Sequence, residues 1–166
     1  MRTRGGAGFT LLELAAVLAI LAIVLAAAVP SYAQFLQRQQ LRGAADALLL
    51  DLRHARQLSV QTRKPVFVSF NPGKNWCWGV SSGQPCDCNG GGALPACNIG
   101  GGRQADYKSV QMDSAADTEF TPMLGQAPRH GGIAFSTAKG QRLQVLVNGM
   151  GRAQQCGPDA VGAPSC

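Results

Sequence analysis

Glu13 stands where a carboxylate is costly. It follows Gly8-Phe9-Thr10-Leu11-Leu12 and opens an apolar run, Leu14 to Val29, that carries no other charge. An ionised acid at the centre of a bilayer is unfavourable by roughly 2.5–3.5 kcal/mol on insertion scales, and by less near a membrane surface. Such a group needs a partner, and the chemistry it offers is charge pairing with a cation. The six cysteines offer a second chemistry. Their spacing is Cys77-x8-Cys86-x-Cys88-x8-Cys97, then Cys156-x9-Cys166. It contains no C-x2–4-C pair of the kind zinc sites favour and no redox C-x-x-C. Disulfides are the expected use. Cys86 and Cys88 are too close to bridge each other easily, Cys156 with Cys166 closes a short terminal loop, and the other four pair across the glycine-rich stretch between them. No catalytic constellation, metal-ligand set or cofactor motif stands out. His54 lies among Arg53 and Arg56, and His130 follows Arg129 in a loop rich in Pro and Gly. Asp113, Asp117 and Glu119 fall on turn and edge-strand sequence, where a solvated role is expected.

The element that must carry Glu13 is a helix. Phe9 to Val29 would span about 31 Å as a helix, against a hydrocarbon core of about 30 Å. Arg2 and Arg4 precede it with no acid. The positive-inside bias then puts the N-terminus in the cytoplasm and everything after Pro30 outside. All six cysteines lie on that outer side, where disulfides persist. The net charge of +6 permits an anionic partner without requiring one.

Three readings of the N-terminus follow. A secretory signal peptide would use Ala26-Ala27-Ala28 for cleavage, but Glu13 interrupts its apolar region. A plain membrane anchor gives Glu13 no role. The third is a leader cut between Gly8 and Phe9. Gly8-Phe9-Thr10-Leu11-Leu12-Glu13-Leu14, joined to the apolar helix after it, resembles the processing signature of type IV pilins and pseudopilins. The resemblance implies that a prepilin peptidase removes 1–8 and N-methylates Phe9. The segment 9–29 then remains as a transmembrane and assembly helix. Cleavage would leave a Phe9 ammonium one turn from Glu13, and the carboxylate can pair with it in the same chain or in the next subunit.

Beyond Pro30, where a kink is expected, Leu41, Ala45, Leu48, Leu52 and Ala55 recur at three- and four-residue steps. They predict an amphipathic helix to about residue 62, with Gln37, Arg38, Gln40, Asp46, Asp51, Arg53 and Arg56 on its other face. Strands are expected at Pro65–Phe70, Trp76–Val80, Tyr107–Met112, Thr118–Thr121, Ile133–Ser136 and Arg142–Val147, with a short one opening the tail. Residues 83–102 read as loop. The fold class is α+β: a long N-terminal helix packed on a small antiparallel sheet domain, with residues 63–166 as the exported, disulfide-stapled part.

The stretch from Gln39 to Arg56, with Lys64-Pro65-Val66, resembles the GspH/FimT subgroup, whose members are minor pilins or minor pseudopilins of type II secretion. That likeness implies as partners a major pilin, other minor pilins and an inner-membrane assembly platform. It implies a bacterial inner-membrane protein with a periplasmic domain, extracellular once assembled in a pilus. It also implies a small antiparallel sheet, often two packed sheets. Some FimT-like pilins bind double-stranded DNA through a C-terminal Gly-Arg-x-Arg. Here the matching place reads Gly151-Arg152-Ala153-Gln154, one arginine fewer, with Arg129, Lys139 and Arg142 as compensating charges if the fold gathers them.

Overall fold

The computed structural model describes residues 10–157 and 165–166, with backbone alone at 27–30. Gly8, Phe9 and the leader lie outside the described residues. So does the side chain of Pro30, at which the kink is expected. The chain forms two compact units, residues 1–36 and 37–166.

Helix α1 runs Leu11–Thr62. In the first unit its apolar side chains are open to the surroundings: Leu11, Leu12, Ile20 and Ile23 are all more than 60% exposed. Among the described residues, α1 is the one helix long and apolar enough to cross a membrane. In the second unit the predicted stripe is buried. Leu41, Ala45, Leu48, Leu52 and Ala55 have no exposed surface, and Ala44 and Ser59 join them. Each large side chain buried this way contributes roughly 1.5–3 kcal/mol. The helix stops without a glycine cap. Arg63 takes a left-handed φ of 53°, and Lys64, preceding Pro65, is disfavoured in helical backbone.

Two four-stranded antiparallel sheets complete the head. The strands are β1 Val66–Asn71, β2 Cys77–Ser82, β3 Gly100–Arg103, β4 Val110–Ser114, β5 Thr118–Phe120, β6 Gly132–Thr137, β7 Arg142–Val147 and β8 Ala153–Cys156. One sheet has the order β3-β2-β1-β5, the other β4-β6-β7-β8. The alternation of buried and open residues along β7, from exposed Arg142 to buried Val147, is the period-two signature of a sheet with one face in the core. Val66, Val68, Trp76, Trp78, Phe120, Ile133, Phe135, Leu143 and Val145 join the helix stripe in one cluster. Trp76 and Trp78 stack at its heart, ring centroids 5.7 Å apart, with Phe135 edge-on to both.

One expectation changes. The stretch 83–102 is not all loop, because its last residues form β3, paired to β2 with Trp78 opposite Gly102. The polar face of the helix is tied to the strands and loops around it. Gln40 accepts a hydrogen bond from the Ser109 backbone (3.0 Å), Asp46 from the Gln155 amide (2.7 Å), and Asp51 from the Trp78 indole (2.7 Å). Arg56 Nε donates to the Gly125 carbonyl at 3.1 Å. These ties run the length of the amphipathic half and fix which turn of the helix meets which strand. Tyr107 sits against this aromatic cluster, and its phenol pKa is raised, first by burial and then by the carboxylates of Asp106 and Asp51.

Candidate functional site

At the N-terminal end, Thr10 caps α1. Its side-chain oxygen accepts from the Glu13 backbone N–H at 3.2 Å, and its carbonyl accepts from Glu13 and Leu14 at 3.1 and 3.2 Å. Glu13 is the acid of the first helical turn. Thr10-x-x-Glu13 is the spacing of a capping box, in which an acid at the third helical position complements a hydroxyl cap. That spacing stood in the sequence, where Glu13 was read against the Phe9 amine and the helix N-terminus and the Thr10 cap was missed. The cap fixes where the carboxylate emerges from the helix.

At the other end of the chain, β7 and β8 are joined by Asn148–Arg152, with Val147 opposite Ala153. The Asn148 side-chain oxygen accepts from the Met150 and Arg152 backbone N–H groups at 3.1 and 2.9 Å. Gly151 has a φ of 72°, and a Cβ there would run into the Gly125 carbonyl. The glycine therefore serves a backbone need, and the turn it permits leaves Arg152 and Gln154 exposed. A cleft of about 650 Å³ opens beside them. Its far wall is α1, through Arg53, Arg56, Gln57, Val60 and Gln61.

The cysteines pair as Cys77–Cys88, Cys86–Cys97 and Cys156–Cys166. The first two bridges interleave and staple the loop between β2 and β3. Asp87, between two of the half-cystines, accepts backbone N–H groups from Asn89 (2.9 Å), Gly91 (3.0 Å) and Gly92 (2.6 Å). Donors aimed at the ionised form hold its pKa below 3.8, the Asn89 N–H foremost, then that of Gly92. The loop contribution is thus present above about pH 4 and lost as pH falls through the lower folded value. Asp87→Asn should lower the melting temperature near neutral pH, and the gap to wild type should close in acid once the folded-state carboxyl is protonated. A gap that persists there would show that ionisation of Asp87 does not matter.

A family model described as Type II transport protein GspH matches residues 44–155. The chain belongs to the GspH family. The prokaryotic N-terminal methylation motif matches residues 3–29. Among solved structures, the crystal structure of the type IV minor pilin FimU from Pseudomonas aeruginosa is similar in fold, with a TM-score of 0.52 at 18% identity. The match covers 72% of this chain and 90% of FimU. No curated protein matches the chain.

In this GspH-family head, Lys139 and Arg142 lie at the start of β7 and Arg152 beyond its far end, about 20 Å of strand apart. Arg129 faces Glu119 at 3.8 Å. The cations that the fold does bring to Arg152 are Arg53 and Arg56, which the sequence places on the polar face of the helix. Asp113 accepts from the Ser136 hydroxyl and Asp117 from the Phe70 N–H, both at 2.8 Å. Among the described residues, no group of three or more His, Cys, Asp or Glu is placed to hold a metal.

Proposed function

We propose that this GspH-family chain is a minor type IV pilin. A prepilin peptidase removes residues 1–8 on the cytoplasmic side and N-methylates Phe9. Residues 9–29 hold the protein in the bacterial inner membrane and then pack among pilin helices in a fibre, with Glu13 answering a Phe9 ammonium. Residues 30–62 and 63–166 form the exported head, periplasmic before assembly and extracellular after it. The partners are the peptidase, the major and other minor pilins, and the inner-membrane assembly platform. The observation that carries this reading is the half of α1 before Pro30, whose described apolar side chains are exposed among the described residues and which coincides with the N-terminal methylation motif. Mass spectrometry of the mature protein tests it. The expected N-terminal peptide begins with a methylated Phe9; a start near Val29 would make the protein an ordinary secreted domain.

The head is further proposed to bind double-stranded DNA for uptake, through the exposed turn Gly151-Arg152-Ala153-Gln154. Arg152 offers a guanidinium to phosphate and Gln154 a neutral donor. A gel shift with duplex DNA at two salt concentrations tests this.

The family description, a type II transport protein, favours a second reading, a minor pseudopilin of a protein secretion system. Deleting the gene separates the two. Loss of pili and transformation supports the first, and loss of exported proteins from the medium supports the second.

A further inference from the structure

We propose that Arg53 and Arg56 of α1 complete the anion site opened by Arg152, so that the cleft between helix and β7–β8 turn grips the phosphate backbone of duplex DNA. This rests on the DNA-binding reading of the turn given above, and adds a wall to the site that the turn alone does not contain.

The cleft holds three guanidiniums and no acid: its polar lining is Arg53, Arg56, Gln57, Gln61, Arg152 and Gln154. Arg53 and Arg152 have no carboxylate partner among the described residues. Arg56 and Gln57 lie three and four residues beyond Arg53, so each is its neighbour on the helix surface. Arg56 is oriented rather than loose. Its Nε is committed to the Gly125 carbonyl at 3.1 Å, which leaves the two terminal nitrogens of the fork for an outside acceptor. Two glycines make room for it. A Cβ at Gly125 would come within 2.8 Å of Arg56 Cγ, and one at Gly151 within 3.0 Å of its Nε. The absent second arginine of the turn is thus replaced across the cleft by charge from the helix. The carbonyl end of α1 lies nearby and opposes an anion, so several cations are needed to make the site attractive.

The lining also decides between ligands. No aromatic side chain is present, so the cleft has no platform on which unpaired bases would stack. Val60 and Leu124 supply apolar contact of the kind a sugar edge accepts. Arginines and amides without a base-reading element bind backbone without regard to sequence.

Fluorescence anisotropy of the full-length protein in detergent, with a labelled duplex of about 30 base pairs titrated between about 50 and 200 mM salt, tests this. Each phosphate contact removed should reduce the salt slope by about 0.9. Arg53→Gln, at an exposed position, should weaken binding several-fold and flatten the slope by that amount, as should Arg152→Ala. Gln154→Arg should strengthen binding. If Arg152→Ala weakens binding while Arg53→Gln and Arg56→Lys leave affinity and slope unchanged, the helix wall is refuted and the turn reading stands. If the wild type fails to bind at the lowest salt, the turn reading falls and this inference falls with it. Polyglutamate displacing the label more effectively, per charge, than unlabelled duplex would assign the cleft to an acidic protein surface and overturn the proposal.

Discussion

Glu13→Val is expected to reach the membrane as wild type does and to be nearly absent from filaments. The substitution removes the one charge from the apolar run, so insertion becomes easier rather than harder. The cap of α1 survives, because Thr10 is bonded to the backbone N–H of residue 13 and not to its side chain. What is lost locally is an acid in the first helical turn, worth roughly 0.3–1 kcal/mol, or a two- to fivefold effect. A helix-stability role therefore predicts a small defect. An ion pair with a neighbour's Phe9 ammonium predicts a large one, because removing one partner of a desolvated pair costs roughly 3–5 kcal/mol and would lower incorporation about a hundredfold or more. Quantifying the protein in sheared filaments against the amount in membranes separates the two. Glu13→Gln should fall with Val if charge is what matters. Either variant entering filaments at the wild-type ratio would remove the assembly role from Glu13.

The legible parts of this chain are those whose side chains repeat. The stripe from Leu41 to Ala55 announced a helix with one buried face, and the alternation in Arg142–Val147 announced a strand. The turn Asn148–Arg152 was found through a resemblance, but its glycine has a local reason, the near-collision with Gly125. The partners of that turn were not legible. Arg53 and Arg56 lie about a hundred residues earlier, and their helical spacing says they share a face without saying what that face meets. Arg142 looks close to Arg152 in sequence and is carried away by the strand between them. The cysteines divide in the same manner. A bridge from Cys156 to Cys166 follows from a short loop, whereas the interleaving of Cys77–Cys88 with Cys86–Cys97 depends on how β2 and β3 are laid side by side. β3 itself was missed because Gly100-Gly101-Gly102 has no side chains to form a pattern. The signal for it sits on the neighbouring strand, in the indole that needs a flat surface to lie on.

Gly102→Val should therefore be among the most damaging single changes in the head, although it lies in a run of glycines that resembles a spacer. Gly102 is the cross-strand partner of Trp78, and a Cβ there would strike the six-membered ring of that indole. Trp78 has nowhere to go. It is 2% exposed, stacks on Trp76 and donates its N–H to Asp51 at 2.7 Å. Overpacking of this kind costs roughly 1–3 kcal/mol. Losing a partly buried hydrogen bond to a carboxylate adds up to roughly 1.5–3 kcal/mol. A combined loss of about 3–5 kcal/mol should lower the melting temperature by roughly 10 °C or more, with a red shift of tryptophan emission as the ring moves toward water. Gly100→Ala supplies the contrast within the same strand. Its Cβ would meet the Asp51 carboxylate oxygen at 3.6 Å, an ordinary contact, and its melting temperature should stay close to wild type. If both variants fall equally, the strand needs glycine for its backbone and the indole is incidental. If neither falls, Trp78 does not rest on β3, and the glycine run has no packing reason to be there.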